Sequence, residues 1–514
     1  MSSAHFASCE EEFRFHNVDV LVVGGGPTGL GAAIRLSQVS SYSWAIFEDS
    51  MHVGGLASTI PTSEGFNFDL GGHVTFSHYS FFDELIALAL GSGDEHWSTL
   101  PRISYVWISN RFVPYPFQSN LYSLEADEKL RCINGLIDTV LCSRDSQVPP
   151  RTFDEWILRY MGEGIANLFM RPYNYKVWAF PATEMQCGWL GERVATVDLK
   201  KIISNVVRNK PDEGWGPNAV FRFPRQGGTG GIWEAVASLV PDSNIHLGKR
   251  MLRVDFELQI AYFNDGSRVR YKQMINTAPL DSTLEWLGRG DLARKLKYSS
   301  THVIGIGLRG LNPHERKCWM YYPESDCPFY RCTVFSLYAE SNCPEQSVLL
   351  PTLRRADKTL DYCSIAQPGP YWSLLFEVSE SRDHKPVDMS TVVDETIQGA
   401  INTMLVTLQD EIVSIFHTRL ERGYPTPHLD RDRTVEEGLK LLRAKNVWNR
   451  GRFGSWKYEV GNQDHSVMLG VEAVDNILFG TPEVTLNHPN LVNGPTKTTQ
   501  PEWKPLIRRK EQSN

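Results

Sequence analysis

At 514 residues the chain is too long for one compact core, so two or three domains are expected. Hydrophobic residues at 41%, charged residues at 22% and a net charge of -8 describe an ordinary globular protein and exclude a broadly basic surface for nucleic acid or anionic membrane. Nine cysteines, an odd number with no C-x-x-C pair, argue for a reducing compartment and against a zinc site, and no apolar run reaches membrane-spanning length. A cytoplasmic protein without a metal is expected.

Residues 1–17 read as a loose leader, and Glu10, Glu11 and Glu12 do not suit a signal peptide. The apolar run Asp19-Val20-Leu21-Val22-Val23 then reads as a buried parallel strand. It runs into Gly24-x-Gly26-Pro27-Thr28-Gly29 and a helical Ala32 to Leu36. The first glycine permits the turn, the second lets backbone approach a pyrophosphate, and the third lets helix and strand pack closely. The helix start presents N–H groups and a positive dipole end to phosphates. A second strand, Trp44-Ala45-Ile46-Phe47, ends at Glu48, where a carboxylate grips a ribose hydroxyl. Together these elements predict a dinucleotide site.

Two further glycine pairs, Gly54-Gly55-Leu56 and Gly71-Gly72-His73, suggest backbone pressed against the same ligand. Tyr115-Pro116-Phe117-Gln118 reads as a loop. Leu130, Ile133, Leu136, Ile137, Val140 and Leu141 recur at helical spacing. Thr152-Phe153-Asp154-Glu155 is a capping box leading a stripe of Trp156, Ile157 and Tyr160. A helical insert is expected over about 120–210. Gly227 to Gly231 reads as glycine-rich turns, and Val303–Leu308 and Trp372–Val378 as strands of an antiparallel sheet. Ser390 is expected to open a helix through Val393, Ile397, Ile401 and Met404, and Thr434 with Glu437 to cap another. The polar run Arg450 to Ser466 leads into an apolar helix over Val467 to Leu478. That helix, opening on Gly461-Asn462-Gln463 near arginine and tyrosine, is suited to complete an anionic cofactor site from far along the chain. Residues from about 494 on read as a tail.

From about residue 18 to 490 the chain resembles the eukaryotic, fungal-type UDP-galactopyranose mutases. The resemblance rests on Gly71-Gly72-His73-Val74, Tyr115-Pro116-Phe117-Gln118 and Arg171-Pro172-Tyr173-Asn174-Tyr175-Lys176-Val177-Trp178. It continues in Leu190-Gly191-Glu192-Arg193-Val194, Cys327-Pro328-Phe329-Tyr330-Arg331, Gly423-Tyr424-Pro425-Thr426-Pro427 and Arg450 to Ser466. It implies an α/β fold: a Rossmann-like FAD-binding domain, an inserted helical domain and an antiparallel β-sheet domain. The expected divisions are 18–115, 211–300 (with a flap at 214–220) and 441–490 for FAD, 116–210 for the helical part, 301–440 for the sheet and 491–514 for the tail.

The resemblance also implies a cofactor and a reaction. FAD works in its reduced form, with NADPH only priming it. Flavin N5 attacks the anomeric carbon of UDP-galactopyranose and expels UDP. The sugar, held as a flavin adduct, opens and recloses as a furanose, and UDP returns. Arg193 and Arg331 are expected to clamp the diphosphate, a task suited to guanidinium, with Tyr321, Tyr424 and Tyr458 donating to the same phosphates. Tyr115, Phe117 and Gln118 are expected at the uracil, Asn174 and Trp178 at the ribose, Asn218 at the galactose from the flap, and Trp319 at the substrate. His73 is expected beside the flavin N5 edge, acting with the two arginines in catalysis. Arg102, Arg452, Gly461, Asn462 and Gln463 join Gly24, Gly26, Thr28, Gly29, Glu48, Gly54, Gly55, Leu56 and Gly72 as cofactor contacts. Some relatives are tetramers, so a homo-oligomer is implied, with no nucleic-acid or membrane partner.

Leu337 and Gly214 depart from the family pattern, which leaves open a paralogue acting on another nucleotide sugar. A flavin oxidase or desaturase of the amine-oxidase type, sharing the glycine fingerprint, and a non-catalytic flavoprotein also stay open at this point.

Overall fold

The computed structural model describes residues 15–142, 148–191, 194, 197–212, 220–357 and 365–494. The first sheet is built around Phe15–Val23, which pairs in parallel with Trp44–Phe47 on one side and Arg268–Asn276 on the other. Val20, Leu21 and Val22 are completely buried, as a strand covered on both faces must be. Val447–Asn449 adds in parallel to Arg268–Asn276, so the C-terminal part of the chain returns to the first sheet. An antiparallel flap, Met251–Asp255 and Ile260–Phe263, joins the start of the same strand, Arg268–Asn276, and Ile245–His246 forms the opposite edge.

Two helices cover the fingerprint strand at close range. Pro27–Val39 starts with proline in its first turn, where no N–H is missed. The apolar helix Gln463–Phe479 lies against it. A side chain at Gly470 would place its Cβ 2.0 Å from the Thr28 carbonyl, so glycine sets this helix separation.

The second sheet has eight strands. At its centre Tyr298–Arg309 lies between Tyr371–Glu380 and Glu411–Pro425, both antiparallel to it. Ser104–Ile108 and Arg111–Pro114, early in the chain, form the far edge of this sheet rather than joining the nucleotide-binding one. Helices Ala126–Cys142, Phe153–Ile165, Arg171–Trp178 and Leu199–Arg208 make a layer beside it. The expected Rossmann-like sheet, helical layer and antiparallel sheet are therefore all present.

The capping box holds: Glu155 N–H donates to Thr152 Oγ1 at 3.1 Å, and the Glu155 carboxylate accepts from Thr152 N–H. Several local readings need correction. In Ala126–Cys142 the buried side chains are Cys132 and Leu136, while Leu130, Ile137, Val140 and Leu141 face outward. Tyr160 is exposed and Met161 takes the inward position. Gly228–Ala237 is a helix rather than turns. Arg431–Arg443 starts after Asp430, and Thr434 sits inside it, donating to the Asp430 carbonyl. Val392–Asn402 is preceded by Thr391 and ends before Met404. Among the described residues no helix is long and apolar enough to cross a membrane.

Candidate active site

A cavity of about 720 Å³ opens where the two sheets meet, within the range of small-molecule sites. Two helix N-termini converge on it. Gly26, Pro27 and Thr28 come from one, and Asn462, Gln463 and Ser466 from the other. Neither N-cap residue accepts from its helix through a side chain, although in the second helix the buried Asp464 carboxylate takes His465 N–H at 2.8 Å, and both helices point N-terminal N–H groups at one space. This arrangement suits a diphosphate.

Glu48 shapes the fingerprint turn. Its Oε2 accepts from Gly25 N–H at 2.5 Å and its Oε1 from Ser50 N–H at 2.8 Å. Gly24, Gly29 and Gly54 do not line the cavity but build the turn behind it. A side chain at Gly29 would set its Cβ 1.9 Å from the Gly24 carbonyl, and Gly54 N–H donates to the Gly25 carbonyl. Gly26, Thr28, Glu48, Gly55, Leu56, Gly72, His73, Arg331, Tyr424, Arg452, Tyr458, Gly461, Asn462 and Gln463 all reach one surface.

The centre of the wall is a carboxylate that pattern reading missed. Glu377 is buried, and both its oxygens are engaged. Arg331 grips it twice, Nε to Oε1 at 2.7 Å and Nη2 to Oε2 at 2.8 Å. Gly72 N–H donates to Oε1 at 2.9 Å and Tyr330 Oη–H to Oε2 at 2.5 Å. Burial alone would push this carboxyl up, but Arg331, Tyr330 and Gly72 outweigh it and hold it below the ordinary glutamate value. Glu377 thus joins the arginine to the Gly71–His73 turn. One signal was available: it is the single charge within Trp372–Val378, and a charge in a buried strand needs partners.

His73 beside it is half-buried at the cavity wall, and its Nδ1 is buried with no hydrogen-bond partner among the described residues. Burial pulls its pKa down to about 4, with Glu377 opposing and Arg452 and Arg331 adding to the fall. The imidazole is therefore neutral, and no His73 titration should appear by NMR above about pH 5. Arg452 is held by the carbonyls of Gly461 and Gly423, both at 3.2 Å, and lies 4.8 Å from the Tyr424 ring centre. Among the described residues it makes no ion pair, so its charge is available to a ligand.

Next to the cavity lies an aromatic layer holding most of the remaining predicted residues. Trp178 meets Tyr458 at 4.8 Å and Tyr424 at 5.7 Å between ring centres. Tyr321 contacts Tyr115 at 4.9 Å and Tyr173 at 5.4 Å, and it accepts the Trp319 indole N–H at 2.6 Å. Arg102 lies over Trp319 and over Phe76, which lines the cavity. Phe117 is buried against Phe169, Gln118 is buried beside it in the chain, and Asn174 Nδ2 donates to the Met170 carbonyl. These residues are neighbours of the cavity rather than its lining. Leu337 is partly buried in a short turn among core residues. Arg193, Asn218 and Gly214 lie outside the described residues.

This geometry has close counterparts. A crystal structure of reduced UDP-galactopyranose mutase is 41% identical, covers 94% of this chain and 98% of its own, and superposes with a TM-score of 0.85. The chain belongs to the UDP-galactopyranose mutase family. An NAD(P)-binding Rossmann-like domain matches residues 22–85, the fingerprint end of the mutase fold. A putative protoporphyrinogen oxidase from Exiguobacterium sp. 255-15 (14% identical, covering 91% of this chain and 99% of its own, TM-score 0.67) shares the fold alone. So does a putrescine oxidase double mutant (13%, 90% and 99%, 0.56). A 4,4'-diaponeurosporene oxygenase of Staphylococcus aureus (strain Mu50 / ATCC 700699) is 34% identical over 103 residues, 20% of this chain and 20% of its own length. The chain thus matches about a fifth of the length of that curated relative.

Proposed function

We propose that this mutase-family protein interconverts UDP-galactopyranose and UDP-galactofuranose with reduced FAD, as a member of the eukaryotic, fungal-type branch. The observation that carries the reading is the joining of Arg331, through Glu377, to the Gly72 turn of a cavity fed by two helix N-termini. The cavity fits FAD, because two helix N-termini, close-approach glycines and Arg452, which makes no ion pair among the described residues, together supply what an anionic dinucleotide needs.

Gly26, Thr28, Asn462 and Gln463 would hold the diphosphate and Glu48 the ribose. The reduced flavin supplies an electron pair that keeps the sugar attached while its nucleotide is detached, and NADPH is needed only to reduce it beforehand. The protein's part is placement. Arg331 and Arg193 neutralise the departing nucleotide, and Tyr424 and Tyr458 add hydroxyl donors. Trp178 buttresses both tyrosines, and Tyr115 and Tyr321 would serve the nucleotide and Asn218 the sugar. His73, being neutral, offers its ring to the flavin edge without adding charge.

The test incubates dithionite-reduced protein with UDP-galactopyranose and separates products chromatographically. A furanose product without added reductant is expected. Hydrogen peroxide release with no new nucleotide sugar would favour an oxidase. Gly29→Ala should lower flavin occupancy about tenfold or more, since the new methyl meets backbone rather than a movable side chain. The visible absorbance of the purified variant reads this.

A further inference from the structure

A second cavity, of about 610 Å³, lies on the other side of the segment that closes the first. Arg450 and Lys457 face it, while their neighbours Gly451, Arg452, Phe453 and Tyr458 face the active-site cavity. Its apolar part comes from Val435, Leu439, Pro482 and Leu486, and its cations are Lys440, Arg443, Arg450 and Lys457. Two of its three carboxylates are already committed. Glu483 is gripped by Arg450 at 2.5 and 2.6 Å, and Asp432 pairs with Arg431 at 2.7 Å. Arg431 is also gripped by Glu459 at 2.8 Å, so Glu436 and the charge that Arg431 leaves uncompensated stand against three cations. Among the described residues Lys440, Arg443 and Lys457 make no ion pair. Lys457 is partly buried and donates to the Leu486 carbonyl at 3.1 Å. The Arg443 guanidinium carbon lies over Trp448, 3.3 Å from its ring centre, and the side chain donates to Asn476 Oδ1 at 2.8 Å. Burial lowers the pKa of both, although only Lys457 is partly buried and Arg443 is exposed, so an anion would relieve Lys457 above all.

We propose that this second cavity binds a small organic phosphate, with an apolar or ring-shaped body against Leu439 and Leu486 and its phosphate on Arg443 and Lys457. Because one short segment walls both cavities, an occupant here bears directly on Arg452 and Tyr458.

The test is calorimetric titration of the flavin-loaded protein with glucose 6-phosphate, with and without saturating UDP, at fixed ionic strength. One-site binding that persists with UDP is expected. The Arg443→Gln/Lys457→Gln variant should bind about tenfold more weakly or worse, the scale of one charge-assisted contact, while its flavin spectrum and UDP affinity show it folded. Glucose without phosphate should not bind. No binding of glucose 6-phosphate, displacement by UDP, equal binding of glucose, or unchanged affinity in the folded variant would each overturn the proposal.

Discussion

Arg331→Ala should lose at least about a hundredfold in kcat/KM for UDP-galactopyranose, because one preorganised donor to developing charge is removed, an effect typically of 10²–10³. It should also cost stability, by about 3–5 kcal/mol, since Glu377 would then be a buried charge without its cation. The two losses can be separated. Arg331→Met with Glu377→Leu removes both charges and should recover most of the stability while leaving the activity lost. Denaturant unfolding beside initial-rate kinetics measures both. An oxidase acting on another substrate would show no such dependence on Arg331, so full turnover by the single variant would displace the mutase reading.

The second large effect is a pH dependence at Asp69, which joins the turn carrying Gly71 to His73 with the rest of the nucleotide-binding unit. Its Oδ1 accepts from Thr59 Oγ1–H at 2.5 Å and from Thr229 N–H at 3.1 Å, while Oδ2 is buried without a partner among the described residues. Burial pushes this carboxyl up to about 7, with the bonds from Thr229 and Thr59 opposing. The folded protein therefore binds the proton more tightly than the unfolded chain, whose value is near 3.8. Stability is greatest below that value and falls as pH rises toward about 7, by roughly 4 kcal/mol for a shift of this size. Asp69→Asn should flatten that slope in unfolding measured across a pH series. Parallel curves for the two proteins would show that Asp69 titrates alike in the folded and unfolded chain.

Local chemistry is what pattern reading captured. The fingerprint strand, its turn, Glu48 and the capping box at Thr152 depend on neighbours a few residues away, and the structure has each where the spacing places it. Glu377 was missed for the opposite reason. It acts on Gly72, 305 residues earlier, and nothing local says which turn its carboxylate will meet. The stripe on Ala126–Cys142 misled because periodicity marks an apolar face without saying that anything packs on it, and Leu130 and Leu141 are left outward. Thr434 misled because a good capping residue also serves inside a helix, where its hydroxyl returns to a carbonyl one turn back. The aromatic residues expected at the nucleotide gather into one layer, drawn from segments far apart in the chain, whose members Tyr424 and Tyr458 line the cavity.

Counting NADPH against product decides the matter most directly. A catalytic amount of NADPH is added anaerobically to the flavin-loaded protein, and consumed reductant is compared with UDP-galactofuranose formed. If the flavin is only lent to the sugar, many sugars should isomerise for each NADPH oxidised, and the oxidised protein should do nothing. One NADPH spent per sugar converted, or equal rates before and after reduction, would contradict it.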